Sequence, residues 1–368
     1  MYHSLQMFFI NGGGPCYIVS VGDYSGGGGI DQTALQTGLD EVAKIDEVTL
    51  ILFPDGLNTT SAGNYYALQK EALDQAADLK DRFVVMDVWV DPDETVDNIQ
   101  VLRDFDFGAT DTAKYGAAYY PRIFTRLDYP YDDEDTVEIV GIGDSSLNGS
   151  LSELKSKNNA YYFSAKAAIN DIEMLLPPSA AVVGKYAEVD NSRGVWKAPA
   201  NVGIDYAVRP EKLITHKAQE SLNVDTTGGK SINVIRSFRG RGPAIIWGAR
   251  TLAGNDNEWR YISVRRFFNM VEESTKNATE QFVFEPNDQN TWIRVKSMIE
   301  NYLAQQWKAG ALMGTTEREA YFVKVGLGET MTEVDVWEGR MIVEIGMAVV
   351  RPAEFIILRF MHKMLQET

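Results

Sequence analysis

Cysteine is almost absent from this 368-residue sequence: Cys16 is the only one, so no disulfide can form within the chain and assembly in a reducing compartment is expected. Histidine is nearly as scarce. His3, His216 and His362 are scattered, none stands near a nucleophile motif, and no G-x-S-x-G elbow, HExxH or CxxC occurs. Triad hydrolysis and histidine- or cysteine-ligated metal sites therefore have no foundation, and no cofactor is expected. Long apolar runs are missing too. A membrane helix needs about 18 apolar residues in a row, and the best stretch, "MIVEIGMAVVRPAEFIILRFM", is cut by Glu344, Arg351, Pro352 and Glu354. The start, "MYHSLQMFFINGGG", has no basic region and no small-residue cleavage site. Neither a signal peptide nor membrane contact is expected, and the chain reads as soluble.

Positive charge is short in one half only. Residues 1–150 hold 26 Asp and Glu against 8 Lys and Arg, whereas residues 151–368 hold 26 against 27. The acidic front repels phosphate and anionic lipid and favours solubility. A patch that fits an acidic partner belongs in the back half.

The front half alternates strand and helix patterns. Short apolar runs ("CYIVSVG", "DEVTLILFP", "RFVVMDVWV", "YGAAYYPRIF") are separated by amphipathic stretches ("QTALQTGLDEVAKI", "NYYALQKEALDQAADLKD", "DETVDNIQVLRDF"). That alternation predicts a mostly parallel sheet covered on both faces, with Cys16 buried in the first strand. "TVEIVGIG" reads as a hairpin arm, "NAYYFSAKAAINDIEMLL" as a helix stopped by Pro177 and Pro178, and "SAAVVGKYAEVDNSRG" as a second helix. The polar, Gly-containing stretch 205–231 reads as a crossover. Beyond it come strands "SINVIRSF" and "PAIIWGA", a helix over 260–277, and the helix "QNTWIRVKSMIENYLAQQWKAG", with Trp292, Val295, Ile299, Tyr302 and Leu303 on one face and Gly310 at its end. Strands "AYFVKVG", "GRMIVEIGMAV" and "EFIILRFMH" follow. The fold class is α/β, α+β overall: a mostly parallel layered domain over 1–204, the crossover over 205–231, and a mixed domain over 232–368.

Three stretches resemble chemistry and fail on their details. "YIVSVGDYSGGGGIDQTALQ" has the strand, glycine loop and helix of a nucleotide-binding turn, and Asp55 ends the next strand. Its glycines form a plain run, no Lys-Ser/Thr follows, and Asp23 and Asp31 flank the loop, so a surface loop is favoured over a phosphate cradle. The "DDED" run at Asp132–Asp135 lacks alternating calcium-ligand spacing. The arginine-rich stretch "RGRGPAIIWGARTLAGNDNEWRYISVRRFF" suggests nucleic acid, but from Arg239 to Lys308 ten bases face eight acids. A phosphate-binding face needs little local acid, and that balance belongs to salt bridges. No nucleic-acid partner is expected.

The same stretch carries a resemblance. "RGRGPAIIWGARTLAGNDNEWRYISVRRFFNMVEES", "FEPNDQNTWIRVK", "GALMGTTEREAYFVKV" and "GRMIVEIGMAVVRPAEFIILRF" occur in that order and are similar to the C-terminal part of contractile tail sheath proteins of phage tails and phage-like injection systems. "NGGGPCYIVSVG" and "PPSAAVVGKYAEVDNSRGVWKAPAN" resemble the middle of the same family. Family sheaths carry an N-terminal arm ahead of the first block; here Met1 precedes it almost directly.

The resemblance implies a structural subunit, not an enzyme. Many copies would polymerise helically around an inner tube protein, with baseplate and terminator or cap proteins as further partners, in a particle assembled in the cytoplasm. It implies exchanged terminal strands. The last apolar stretch, Phe355, Ile356, Ile357, Leu358, Arg359 and Phe360, would pair with a neighbouring copy; pairing inside its own domain is the alternative. It also implies that Arg294 and Lys308 face the tube, and that Arg250, Arg260, Arg265 and Arg266 satisfy carboxylates within or between subunits. A cap or baseplate paralogue of the same fold and a nucleotide-binding enzyme using the 22–29 loop remain as rivals.

Overall fold

The structure, a computed structural model, describes residues 1–23, 30–93, 95–131, 134–140 and 143–356. A six-stranded sheet runs in the order Leu50–Ile51, Phe83–Asp87, Gly116–Tyr120, Ile232–Phe238, Gly242–Trp247, Val202–Gly203. The first four strands are parallel, with Leu50 opposite Phe83, Val85 opposite Ala117, and Ile232 opposite Ala118. The last two are antiparallel additions. Strands 83–87 and 116–120 are buried at every position. Cover on both faces removes the need for polar alternation, so their sequences are apolar except at Asp87, which ends strand 83–87.

Successive side chains serve opposite cores. Val84, Met86, Tyr120 and Val234 pack under helices Ala62–Leu79 and Asn98–Asp104. Val85, Tyr119, Ile235 and Ile246 meet helices Tyr2–Ile10 and Ser179–Arg193. Each such large side chain contributes roughly 1.5–3 kcal/mol on burial. Helix 2–10 crosses helix 179–193 at Gly184, where a Cβ would lie 2.4 Å from the Phe8 carbonyl oxygen. The helices start where capping side chains stand: Ser61 accepts from the Asn64 amide, Asp97 from Ile99, and Asp288 from Thr291.

A third core joins helices Ile262–Thr279 and Gln289–Lys308 to a two-stranded antiparallel sheet, Tyr321–Lys324 with Glu344–Met347, through Phe267, Val295, Ile299, Leu303 and Val323. A small fourth core gathers Leu151, Leu154 and Tyr162 beside the hairpin of Glu138–Ile139 with Gly149–Ser150. No helix among the described residues is long and apolar enough to cross a membrane.

The fold is mixed α/β, and several details depart from the sequence expectation. The "CYIVSVG" run forms no strand; Cys16, Tyr17 and Ile18 are exposed, and Leu50–Ile51 is the edge of the main sheet among the described residues. "YGAAYYPRIF" is two strands, not one. The chain breaks at Pro121, and Ile123–Thr125 enters a separate three-stranded sheet between Met174–Leu176 and Ala207–Pro210. The 159–176 stretch is a helix only to Asn170, then a strand. The boundary expected at residue 232 does not divide the main sheet. Strand 232–238 pairs with 116–120, because its side chains fill both cores of the front half.

Candidate assembly interface

Three of the four arginines singled out are spoken for inside the chain. Arg265 and Arg266 are neighbours on helix 262–279, about 100° apart around it, and so point to different surroundings. Buried Arg265 donates from Nε to Asn269 at 2.7 Å and from Nη2 to Glu272 at 2.7 Å, with its guanidinium 4.5 Å from the Trp259 ring centre. Arg266 donates Nη1 to Asp190 Oδ1 at 3.0 Å and Nη2 to Oδ2 at 2.5 Å, and lies over Tyr186. Burial opposes the charge on Arg266, but the Asp190 carboxylate more than offsets it and moves the pKa up. Arg260 is different: it donates to the Asp256 carbonyl at 2.8 Å and to the Asn257 side chain, and pairs with no carboxylate among the described residues.

Arg250, buried, pairs with Glu354 across 104 residues of sequence. Nε donates at 2.9 and 3.1 Å and Nη2 at 2.7 Å. Asn223 and Tyr261 donate to the same carboxylate at 2.6 and 3.1 Å. Burial alone would raise the Glu354 pKa, but these hydrogen bonds outweigh it and hold the carboxyl below its ordinary value. Beyond Glu354, Phe355 and Ile356 are 66% and 81% exposed and in no strand. Ile357, Leu358, Arg359 and Phe360, the rest of the expected terminal strand, lie outside the described residues.

The sheet 321–324/344–347 has only two strands among the described residues, so each strand keeps one unpaired edge. Phe322 and Lys324 are exposed on it, Tyr321 and Val323 buried. The adjacent helix 289–308 buries Thr291, Val295, Ile299 and Leu303. Its outer stripe carries Asn290, Arg294, Ser297, Asn301, Gln305 and Lys308, all exposed. Arg294 lies 3.8 Å from Glu285 and stacks over Phe282. Lys308 has no ion pair among the described residues. At 1.5 Å per residue the two cations stand about 21 Å apart along one face.

Two of the stretches argued against on sequence lie partly outside the described residues. Residues 24–29 of the 22–29 loop lie outside the described residues; no strand precedes the loop, and Asp55 binds the Met1 amino group at 2.5 Å. Asp132 and Asp133 lie outside too; Glu134 accepts from Tyr162 at 2.7 Å and Lys166 at 3.0 Å. No cluster of three or more metal-binding side chains occurs among the described residues. What the sequence reading missed was Glu354. It registered only as a charge interrupting an apolar run, which was the one signal available.

Comparison with known proteins gives the frame for this geometry. The family model for the phage tail sheath C-terminal domain matches residues 254–362. The helical sheath of the anti-feeding prophage in its contracted state is 33% identical, covering 98% of this chain and 82% of that one, with a TM-score of 0.67. A chain of the contracted anti-feeding prophage baseplate is 30% identical over 98% of this chain and 83% of its own, with a TM-score of 0.74. The tail sheath protein of Enterobacteria phage T4 is 26% identical over 136 residues, 36% of this chain; the match spans only 20% of the phage protein's length.

Proposed function

The chain belongs to the contractile tail sheath family, and on that premise we propose that it is a structural subunit of a contractile sheath. Copies polymerise helically around an inner tube and shorten together to drive the tube through a target envelope. No bond chemistry is required; the work comes from exchanging one set of intersubunit contacts for another, and linked neighbours make the change cooperative.

The observation that carries the reading is the sheet 321–324/344–347, which has only two strands among the described residues and continues past Met347 only as a bridge between Leu312 and Val349. Its inner face is covered by helices 262–279 and 289–308, and an open strand edge recruits another strand. The apolar stretch 355–360 has the composition to supply one, from a neighbouring copy. In this reading Arg294 and Lys308 face the tube, Arg260 is available to a neighbour, and the acidic 1–204 portion lies further out. Assembly is cytoplasmic, with baseplate and terminator or cap proteins at the ends.

The test is removal of residues 357–368. The truncated chain should fold and remain monomeric, while the full chain forms tubes by negative-stain microscopy; tubes from both would refute the link. The baseplate match favours a second reading, a paralogue that sits at one end of the particle. Copy number decides between them, since a sheath is present in many stacked rings.

A further inference from the structure

The C-terminal segment is fastened in steps before it leaves the body. The Val350 amide donates to the Ala311 carbonyl at 3.0 Å, and Arg351 Nη1 donates to the Asn257 carbonyl at 2.8 Å. At Glu354 three separate parts of the fold converge: Asn223 from the end of helix His216–Asn223, Arg250 from the loop after strand 242–247, and Tyr261 from the residue before helix 262–279. After that, Phe355 and Ile356 are exposed.

Arg250 is fixed in turn. Its Nη1 donates to the Gly254 carbonyl at 3.0 Å. Its own backbone exchanges two hydrogen bonds with the side chain of Asn233, each at 2.8 Å, and Asn233 also donates to the Ala118 carbonyl at 3.2 Å. Asn233 is fully buried in central strand 232–238. A run of hydrogen bonds therefore leads from Glu354 through Arg250 and Asn233 to the middle of the main sheet.

We propose that Glu354 is the root of a C-terminal linking arm. It is a positioning residue that sets the direction in which the following apolar segment departs, and it passes load from that segment through Arg250 and Asn233 to the main sheet. This rests on the reading that the segment joins a neighbouring copy. Charge-assisted, forked hydrogen bonds are directional, and the best-attested use of a buried ion pair is to fix register more than to add stability. A carboxylate with donors on several sides suits a joint that must hold one angle under tension.

The test compares four full-length or truncated chains: the parent, Glu354→Gln, the double variant Arg250→Met/Glu354→Leu, and the 357–368 deletion. The double variant leaves no buried charge unpaired, so it is expected to melt within a few degrees of the parent. Amide exchange over 350–356 should accelerate in both substituted chains. The assembled fraction should fall by roughly tenfold or more, as the loss of several charge-assisted hydrogen bonds implies. Whichever substituted chain remains folded decides: parent-like assembly, with the deletion still monomeric, overturns the role of Glu354 and leaves the arm itself intact. Parent-like assembly by the deletion overturns both.

Discussion

At the scale of single residues, the arginines answer the question their sequence posed. Arg266 gains a bidentate partner in Asp190, and Asp190→Ala would leave a buried guanidinium uncompensated. That loss should cost on the order of 3–5 kcal/mol, read from denaturant unfolding; a change below 1 kcal/mol would mean the pair is solvated. Asp87 behaves in the opposite way. It is buried at the end of strand 83–87 and accepts from the Ser179 amide at 2.9 Å and the Ser179 hydroxyl at 2.6 Å. Burial, only partly offset by those bonds, pushes its pKa up to about 7. The folded chain thus holds a proton the unfolded chain releases near pH 4. The stability this gives is present below pH 4 and is lost as pH rises through 7. Asp87→Asn should flatten that part of the unfolding profile, and an unchanged slope would locate the titration elsewhere. None of these partners was legible in the sequence. An arginine's need for a carboxylate is visible, but Asp190 and Glu354 stand 76 and 104 residues away from their guanidinium groups, and nothing local points to them.

At the scale of elements, the long helices were readable because periodicity and caps agree. Helix 289–308 starts at the Asp288 cap and buries the face its spacing predicts, though Thr291 takes the place expected of Trp292. Short apolar runs were less informative. "CYIVSVG" and "RFVVMDVWV" look alike as sequence, yet only the second has strands on either side. Whether such a run pairs depends on what the rest of the chain brings beside it. The outer stripe of helix 289–308 supports a charge-reversal test. Arg294→Glu with Lys308→Glu removes only exposed cations, so the melting of the free subunit should change by less than about 0.5 kcal/mol. Co-assembly with an inner tube protein should drop sharply at low ionic strength, and the difference from the parent should shrink as salt screens these exposed charges. Intact co-assembly would release this face from tube contact.

At the scale of the whole molecule, the order of the motifs carried the family, while the architecture needed coordinates. The sheet crosses the boundary expected at residue 232, since strands 232–238 and 242–247 are required to finish the two cores begun by the acidic half. Among the described residues the back of the chain is then left with a two-stranded sheet, a polar helix face and a segment anchored at Glu354. The free energy of such a molecule lies between copies. High-resolution imaging of particles formed by the full chain examines that directly. The account predicts tubes in which a strand from another subunit lies against the open edge of 321–324 or 344–347. A chain that stays monomeric at high concentration, with its final apolar segment paired in its own sheet, would contradict it.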